Sequence, residues 1–392
     1  MIIYNQIPSI DKKLFGYIVP NTFIYLFDSE NEYIINIDHN DIQKAVISFL
    51  SNDLLKRIQS YRSDELFVCA KTGEELEVFS GRLVYWFLKH DRINDKFPRI
   101  FDDYWKITDD AGVIPIMRWI GYIRTVRDQI DLNFIINEPL RIYNKFIDNL
   151  RAIESNGIYN NISNRIEFTK YDPFTLTGRP SNHNNGVNYA ALNKESGERS
   201  RFSSRYVNGF LINVDLSGFH LFLLYNILSL NFPKDIYLHL GKLYPPNVDS
   251  KAFTFKQIYG YIDESLIDKS PFKEIDGLSN LLYDGYNRGD LYTLLHDKKV
   301  RFQEDLPKNK VFNYLLQNLE TEFNMVLIDD LLKSLSGLDT KLILYTYDSF
   351  LFDVKPSEIS TLIFKLREIF KDIPCKLEMG FNYNSMKPYQ LS

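Results

Sequence analysis

Cysteine is scarce: the 392 residues hold two, Cys69 and Cys375, far apart and each without a metal-ligating neighbour at short spacing. That excludes a disulfide framework and a zinc cluster, and suits a reducing compartment. Long apolar runs are missing too. The most apolar stretch, Phe219 to Leu230, is broken by His220 and Asn226 and falls well short of the roughly 20 residues that span a bilayer. The opening Met1-Ile2-Ile3-Tyr4-Asn5-Gln6 has no basic segment leading into an apolar core and a small-residue cleavage site, so no secretion signal is read. The expectation is a soluble, cytoplasmic protein without membrane contact. There is no internal repeat, no low-complexity run and no Gly/Ser linker, so domain boundaries must come from changes of pattern. Nor is there a large charge of either sign. Forty-six Lys and Arg against 51 Asp and Glu leave −5, so any nucleic-acid surface has to be local.

What is present is the composition of a folded chain, 45% hydrophobic, 25% charged and 15% aromatic, long enough for two to three domains. The first hundred residues mix β-like runs, Phe23–Phe27 and Tyr33–Ile37, with a helix-like run over Leu83–Leu88, a small α/β pattern. From Pro139, apolar Leu140, Tyr143, Ile147, Leu150 and Ile153 recur at helical spacing, and Gly157 supplies a stop. Phe210–Val214 reads as a strand running into Asp215, with a helix over Leu216–Leu228. Leu342–Val354 reads as two strands with a polar tip at Asp348-Ser349. Pro356 opens a helix carrying Ile359, Leu362, Ile363, Leu366, Ile369 and Phe370 on one face, and a strand alternating Cys375, Leu377 and Met379 follows. Strand, hairpin, helix and strand make an antiparallel sheet backed by helices, with both acids edge-exposed.

An Asp at a strand end and another at a hairpin tip repel if brought together, and a divalent cation relieves that repulsion. Hard oxygen ligands around one or two Mg²⁺ ions are what in-line phosphoryl transfer uses. By spacing alone the pair reads more readily as two solvated turn aspartates. Lys251, Phe255 and Tyr259, spaced by four, share one helix face, a cation and two rings suited to a triphosphate and a base. Lys194, Arg199, Arg201 and Arg205 form a locally basic segment before the first acid that could meet phosphates despite the acidic whole, and Lys298, Lys299, Arg301, Lys308 and Lys310 form a second that could contact DNA or remain a solvated face. Asn313 and Gln317, one turn apart, can donate and accept at base edges or sugars.

Six blocks in one order resemble the family A, DNA polymerase I-like, nucleotide polymerases. Thr177-Gly178-Arg179-Pro180-Ser181 is similar to T-G-R-x-S, and Asp215 to Leu221 to the family's first catalytic motif, D-Y-S-x-I-E-L. Lys251, Phe255, Tyr259 and Gly260 follow K-x-x-x-F-x-x-x-Y-G, and Asn313 with Gln317 fits N-x-x-x-Q. Tyr347-Asp348-Ser349 stands where the family writes H-D-E, or H-D-S in its single-subunit RNA polymerase relatives, and Leu377-Glu378-Met379-Gly380 resembles V-E-V-G. The likeness covers about residues 140 to 392.

The resemblance implies a right-hand α+β polymerase: a thumb over 115–165, palm over 166–230 and 306–392, helical fingers over 231–305, and a small α/β domain over 1–114. It implies a DNA polymerase acting by two-metal-ion nucleotidyl transfer, with Asp215 and Asp348 catalytic. Those two and the Leu216 carbonyl would hold two Mg²⁺, with Mn²⁺ as a substitute. It assigns the incoming dNTP to Lys251, Phe255, Tyr259, His220 and Lys194, and primed template DNA to Arg179, Asn313, Gln317 and Tyr347. A monomer is expected, with an accessory replication factor left open. The chain departs from the pattern at Asn247, where a clamping Arg is usual, at His220, where a Glu usually blocks a ribose 2′-hydroxyl, and at Tyr237, where a His is common. Asp28-Ser29-Glu30 resembles the D-x-E of the family's proofreading nuclease, but Asp102, Asp103 and Asp109 stand in no matching context, so at most a vestigial exonuclease is expected. Two other functions fit parts of the pattern. A single-subunit RNA polymerase is favoured by Ser349 and the lost Glu, and a non-catalytic nucleic-acid-binding protein by Asn247 and the acidic charge. The Asn-, Ile-, Lys-, Tyr- and Phe-rich composition goes with an AT-rich genome, and a compact polymerase without a full nuclease suits a phage or another mobile element.

Overall fold

The β-branched and aromatic runs of the first part form strands that pair as a six-stranded sheet. They are β1 (Ile2–Ile3), β2 (Leu14–Val19), β3 (Phe23–Phe27), β4 (Glu32–Asn36), β5 (Leu66–Thr72) and β6 (Glu75–Ser80), in the order β1-β4-β3-β2-β5-β6. All neighbours are antiparallel except β1 with β4. The computed structural model describes residues 2–3, 14–19, 23–27, 32–36, 66–72, 75–80, 83–84, 86–87, 136–182, 187–302 and 305–389. Asp28, Glu30, Asp102, Asp103 and Asp109, and with them the nuclease reading, lie outside the described residues. The chain divides into two units, Met1–Asn144 and Lys145–Ser392. In the first, Phe79, Leu83, Val84, Trp86, Leu140 and Tyr143 are buried together with Ser80, and Arg141 holds Glu77 through paired bonds of 2.9 Å. Among the described residues no helix is long and apolar enough to cross a membrane.

Helix α1 (Glu138–Asn156) stops where its apolar spacing stops. Gly157 adopts φ +60°, and a Cβ there would come within 2.4 Å of Ile166 Cγ2, so the stop needs glycine. Short strands β7 (Ile158–Asn160), β8 (Arg165–Glu167) and β9 (Phe202–Ser203) form a small three-stranded sheet.

The main sheet of this unit has five antiparallel strands in the order β13-β14-β10-β15-β16, where β10 is Phe210–Leu216, β13 Lys341–Thr346, β14 Ser349–Val354, β15 Cys375–Gly380 and β16 Lys387–Tyr389. An antiparallel sheet backed by helices is what the strand, hairpin, helix and strand pattern implies. One face is apolar: Ile212, Val214, Phe350 and Phe352 are fully buried, and Phe350 packs on Phe370 of α7 (Ile359–Phe370) at 6.1 Å. Each such side chain contributes about 2 kcal/mol of burial. The other face starts apolar, with Leu211 and Leu351 under Ile158, Tyr189 and Phe202, and turns polar toward the end of β10. Because side chains alternate, Asn213, Asp215, Ser349, Glu378 and Lys376 fall on this face, with Asp215 opposite both Ser349 and Lys376.

Five helices complete the surroundings: α2 (Phe219–Ile227), the short α3 (Ile236–Gly241), α4 (Ser250–Tyr259), α5 (Phe272–Arg288) and α6 (Lys308–Ser334), with the antiparallel pair β11 (Leu291–Tyr292) and β12 (Lys299–Val300) between the last two. α6 is buried on nearly every side, including polar Asn318, Glu320, Thr321, Glu322 and Asn324. A polar stripe, Asn313, Gln317, Glu320 and Asn324 at steps of four, three and four, runs along it.

Candidate active site

The end of β10, the tip of the β13–β14 hairpin, the start of α2, α4 and the stripe of α6 enclose a cleft of about 630 Å³. Asp215 and Asp348 both line it, so the two acids that the pattern singled out do meet. The expected edge position of Asp215 does not hold. β10 is the central strand, flanked by β14 and β15, and Asp215 is half-buried. Burial raises its carboxyl above the usual range, helped by Glu378 and opposed by Lys376 and Lys251.

Asp348 stands on a two-residue turn with Tyr347, between the paired Thr346 and Ser349. Its side chain opens to the cleft, yet protein crowds it closely enough that its carboxyl is pushed up to about 6 by burial, then by Asp215 and Glu320. Tyr347 has φ +62°, a conformation that costs a non-glycine residue about 1 kcal/mol or more. Three contacts hold the turn there. Asn324 Nδ2 donates to the Tyr347 carbonyl at 2.7 Å, Leu216 N donates to the Asp348 carbonyl at 2.8 Å, and the Arg179 guanidinium lies 3.6 Å above the Tyr347 ring. The Leu216 bond ties the two acid-bearing segments together directly.

After β10 the chain turns through Gly218, at φ +60°, into α2. That turn sets His220 in the first turn of the helix and delays the helix past the Leu216 start read from the pattern. His220 Nδ1 lies 2.6 Å from the Tyr259 hydroxyl, and Nε2 lies 3.0 Å from Glu320 Oε2. Glu320, 2% exposed, also meets Arg179 Nε at 3.4 Å.

Helix α4 begins with Asp249 as its cap, accepting from Ala252 N at 2.9 Å, so the following Lys251, Phe255 and Tyr259 share one face. Lys251 Nζ sits 5.7 Å from the Phe255 ring centre and 5.8 Å from that of Tyr237, which also lines the cleft. Asn313 Nδ2 donates to the Tyr259 carbonyl at 2.9 Å and so anchors the last turn of α4 to α6. Asn247, with φ +68°, precedes the helix and does not line the cleft.

Of the residues singled out from the pattern, the cleft gathers Arg179, Asp215, Leu216, His220, Lys251, Phe255, Tyr259, Asn313, Gln317 and Asp348. Tyr347 lies at its margin beneath Arg179. Lys194 is exposed on a turn and does not line the cleft. The two basic segments are partly structural. Arg205 Nε pairs with the fully buried Asp353 at 2.7 Å, and its guanidinium donates to the carbonyls of Asn156 and Gly157. Lys298 is buried, its ammonium pushed down to about 8 by desolvation, and Lys308 pairs with Asp276 at 2.9 Å.

The cleft adds residues that sequence reasoning missed. Glu320 continues the Asn313–Gln317 stripe by three more residues, a signal that was legible, whereas Lys376 reaches the cleft only through the pairing of β15 with β10. Three acids and three bases then line the walls, so two divalent cations and a fully ionised triphosphate could enter together without upsetting the balance. Among the described residues no group of three or more His, Cys, Asp and Glu forms a ready metal cage. Mg²⁺ does not need one, since it is commonly held by one or two carboxylates together with substrate phosphates. Two carboxyls with raised affinity for protons, lining one crowded cleft, fit such an ion.

No protein-family model matches the chain, and no curated protein matches it. Among solved structures it is similar to one described as the POL domain of Pol1 from M. smegmatis in complex with DNA primer-template and dNTP. The TM-score is 0.48 at 16% identity, over 72% of this chain and 55% of that one. The chain therefore spans little more than half the length of that structure, and a likeness so distant leaves function to the site itself.

Proposed function

We propose that the protein is a template-directed DNA polymerase that extends a primer with dNTPs. The observation that carries the reading is the meeting of Asp215 and Asp348 on one cleft that also holds the Lys251–Phe255–Tyr259 face. The acids, with the Leu216 carbonyl, would hold two Mg²⁺ ions, which when bound favour the ionised primer 3′-hydroxyl and neutralise the departing pyrophosphate. The chain's own residues do the positioning. Lys251 takes triphosphate oxygens, and the rings of Phe255 and Tyr259 offer an apolar surface to the base. Arg179, Asn313 and Gln317 stand where a primer-template end would pass, Arg179 already oriented by Tyr347 and Glu320. Rate then comes from orientation and charge neutralisation without a covalent intermediate. On this reading the hairpin sheet is a palm and α4 belongs to the fingers.

Ser349, which leans toward the RNA polymerase pattern, donates from Oγ to Asn213 Oδ1 at 2.6 Å and so has a structural use. The test is primer extension in Mg²⁺ with separate dNTP and rNTP pools. Asp215→Ala and Asp348→Ala should each abolish extension while binding to primed template persists. Extension retained by either variant refutes the two-carboxylate assignment, and salt-sensitive binding without incorporation by the wild type points to a non-catalytic binder.

A further inference from the structure

The hydrogen bonds of one polar chain in the cleft have no use in the steps above. It runs from Glu320 through His220 to Tyr259, with separations of 3.0 and 2.6 Å. Glu320 is 2% exposed, projects from a buried helix and is balanced by Arg179 at 3.4 Å, so it has little freedom to move. A carboxylate can only accept, so the imidazole nitrogen facing it carries a proton. In the neutral ring Nδ1 is then an acceptor, and the Tyr259 hydroxyl, kept protonated by a pKa pushed up to about 12 by burial and the charge of Glu320, donates to it. Both ring nitrogens of His220 are occupied by protein.

The sugar of a bound nucleotide has to lie between its phosphates and its base. On the reading above, which this inference rests on, those are placed by the acids with Lys251 and by the α4 rings, and His220 and Tyr259 line the same cleft. We propose that Glu320 is a positioning residue that sets sugar choice: by occupying His220 Nε2 it leaves the imidazole with no polar atom for a ribose 2′-hydroxyl, so His220 meets the sugar as a wall. A free imidazole nitrogen would do the reverse, since it could hydrogen-bond that hydroxyl and favour ribonucleotides. The carboxylate that makes the difference comes from another helix, 100 residues further along the chain.

The experiment compares wild type, Glu320→Gln and Glu320→Ala. It reads kcat/KM for one matched dNTP and its rNTP on the same primed template, and the nitrogen NMR signals of the His220 ring in the full chain. Wild type should show one tautomer, protonated at Nε2, and prefer the dNTP. Glu320→Ala should mix the tautomers and lower the dNTP:rNTP ratio about tenfold, the worth of one hydrogen bond. Glu320→Gln, which keeps an acceptor in place, should hold the ratio within about twofold. An unchanged ratio in Glu320→Ala, or a wild-type ring protonated only at Nδ1, overturns the proposal. The wild-type signals decide the ring assignment even if Glu320→Ala fails to fold. Should the wild type incorporate neither nucleotide, the polymerase reading fails separately. The ring signals then judge Glu320 alone: tautomers mixed by its removal support its positioning role, and unchanged ones refute it.

Discussion

Replacing Asp348 by Asn should make the metal-free protein more stable while it extinguishes extension. The carboxyl is raised from 3.8 to about 6, chiefly by burial and then by Asp215 and Glu320, so ionising it in the folded state is unfavourable. The sign follows from linkage. The native state holds the proton more tightly than the unfolded chain, so wild-type stability falls as pH rises from about 4 through 6 and stays lowered above. The rise from 3.8 to about 6 would correspond to about 3 kcal/mol if the group were sealed from water. Asp348 opens to the cleft, so solvent screening reduces the expected gain for Asp348→Asn to about 1 kcal/mol at pH 7. For a unit of this size that is about 2–4 °C in Tm. Asn is isosteric and leaves the backbone bond from Leu216 N intact, so the comparison isolates the charge. Calorimetry or denaturant melts in EDTA, from pH 4 to 8, should show the two proteins converging near pH 4 and separating above 6. Added Mg²⁺ should raise the wild type and leave the variant in place. A variant less stable than wild type at pH 7, or a gap that does not change with pH, would refute the electrostatic account of the site.

Lys376 stands opposite Asp215 and lowers its carboxyl pKa, so Lys376→Ala makes the site more negative; the Mg²⁺ midpoint of extension should fall about two- to threefold, and a rise would contradict the placement. Arg205→Ala strands the fully buried Asp353 and should cost about 3 kcal/mol in a denaturant melt; an unchanged melt accompanied by weaker primer-template binding would return Arg205 to a phosphate-contacting role.

The periodic parts of the site were legible because local geometry writes them into the chain. The strand ending at Asp215, the hairpin carrying Asp348 and the common face of Lys251, Phe255 and Tyr259 each follow from spacing over a few residues. The details that failed were those set by partners distant in sequence. Asp215 read as an edge residue because pairing with β15 is invisible from β10. Arg205 read as a phosphate contact because its partner, Asp353, lies on a strand far along the chain. Helix α2 begins later than its apolar run because Gly218 takes a left-handed turn.

By itself the order of residues determined which segments are strands and helices and which carry acids, cations and rings, since propensity and periodicity act over one or two turns. Only the tertiary structure decided that Asp215 and Asp348 line one cleft, that Lys376 joins them across a ladder, and that Glu320 closes on His220 from a different helix. Those facts depend on strand order, register and helix packing, which no local pattern specifies.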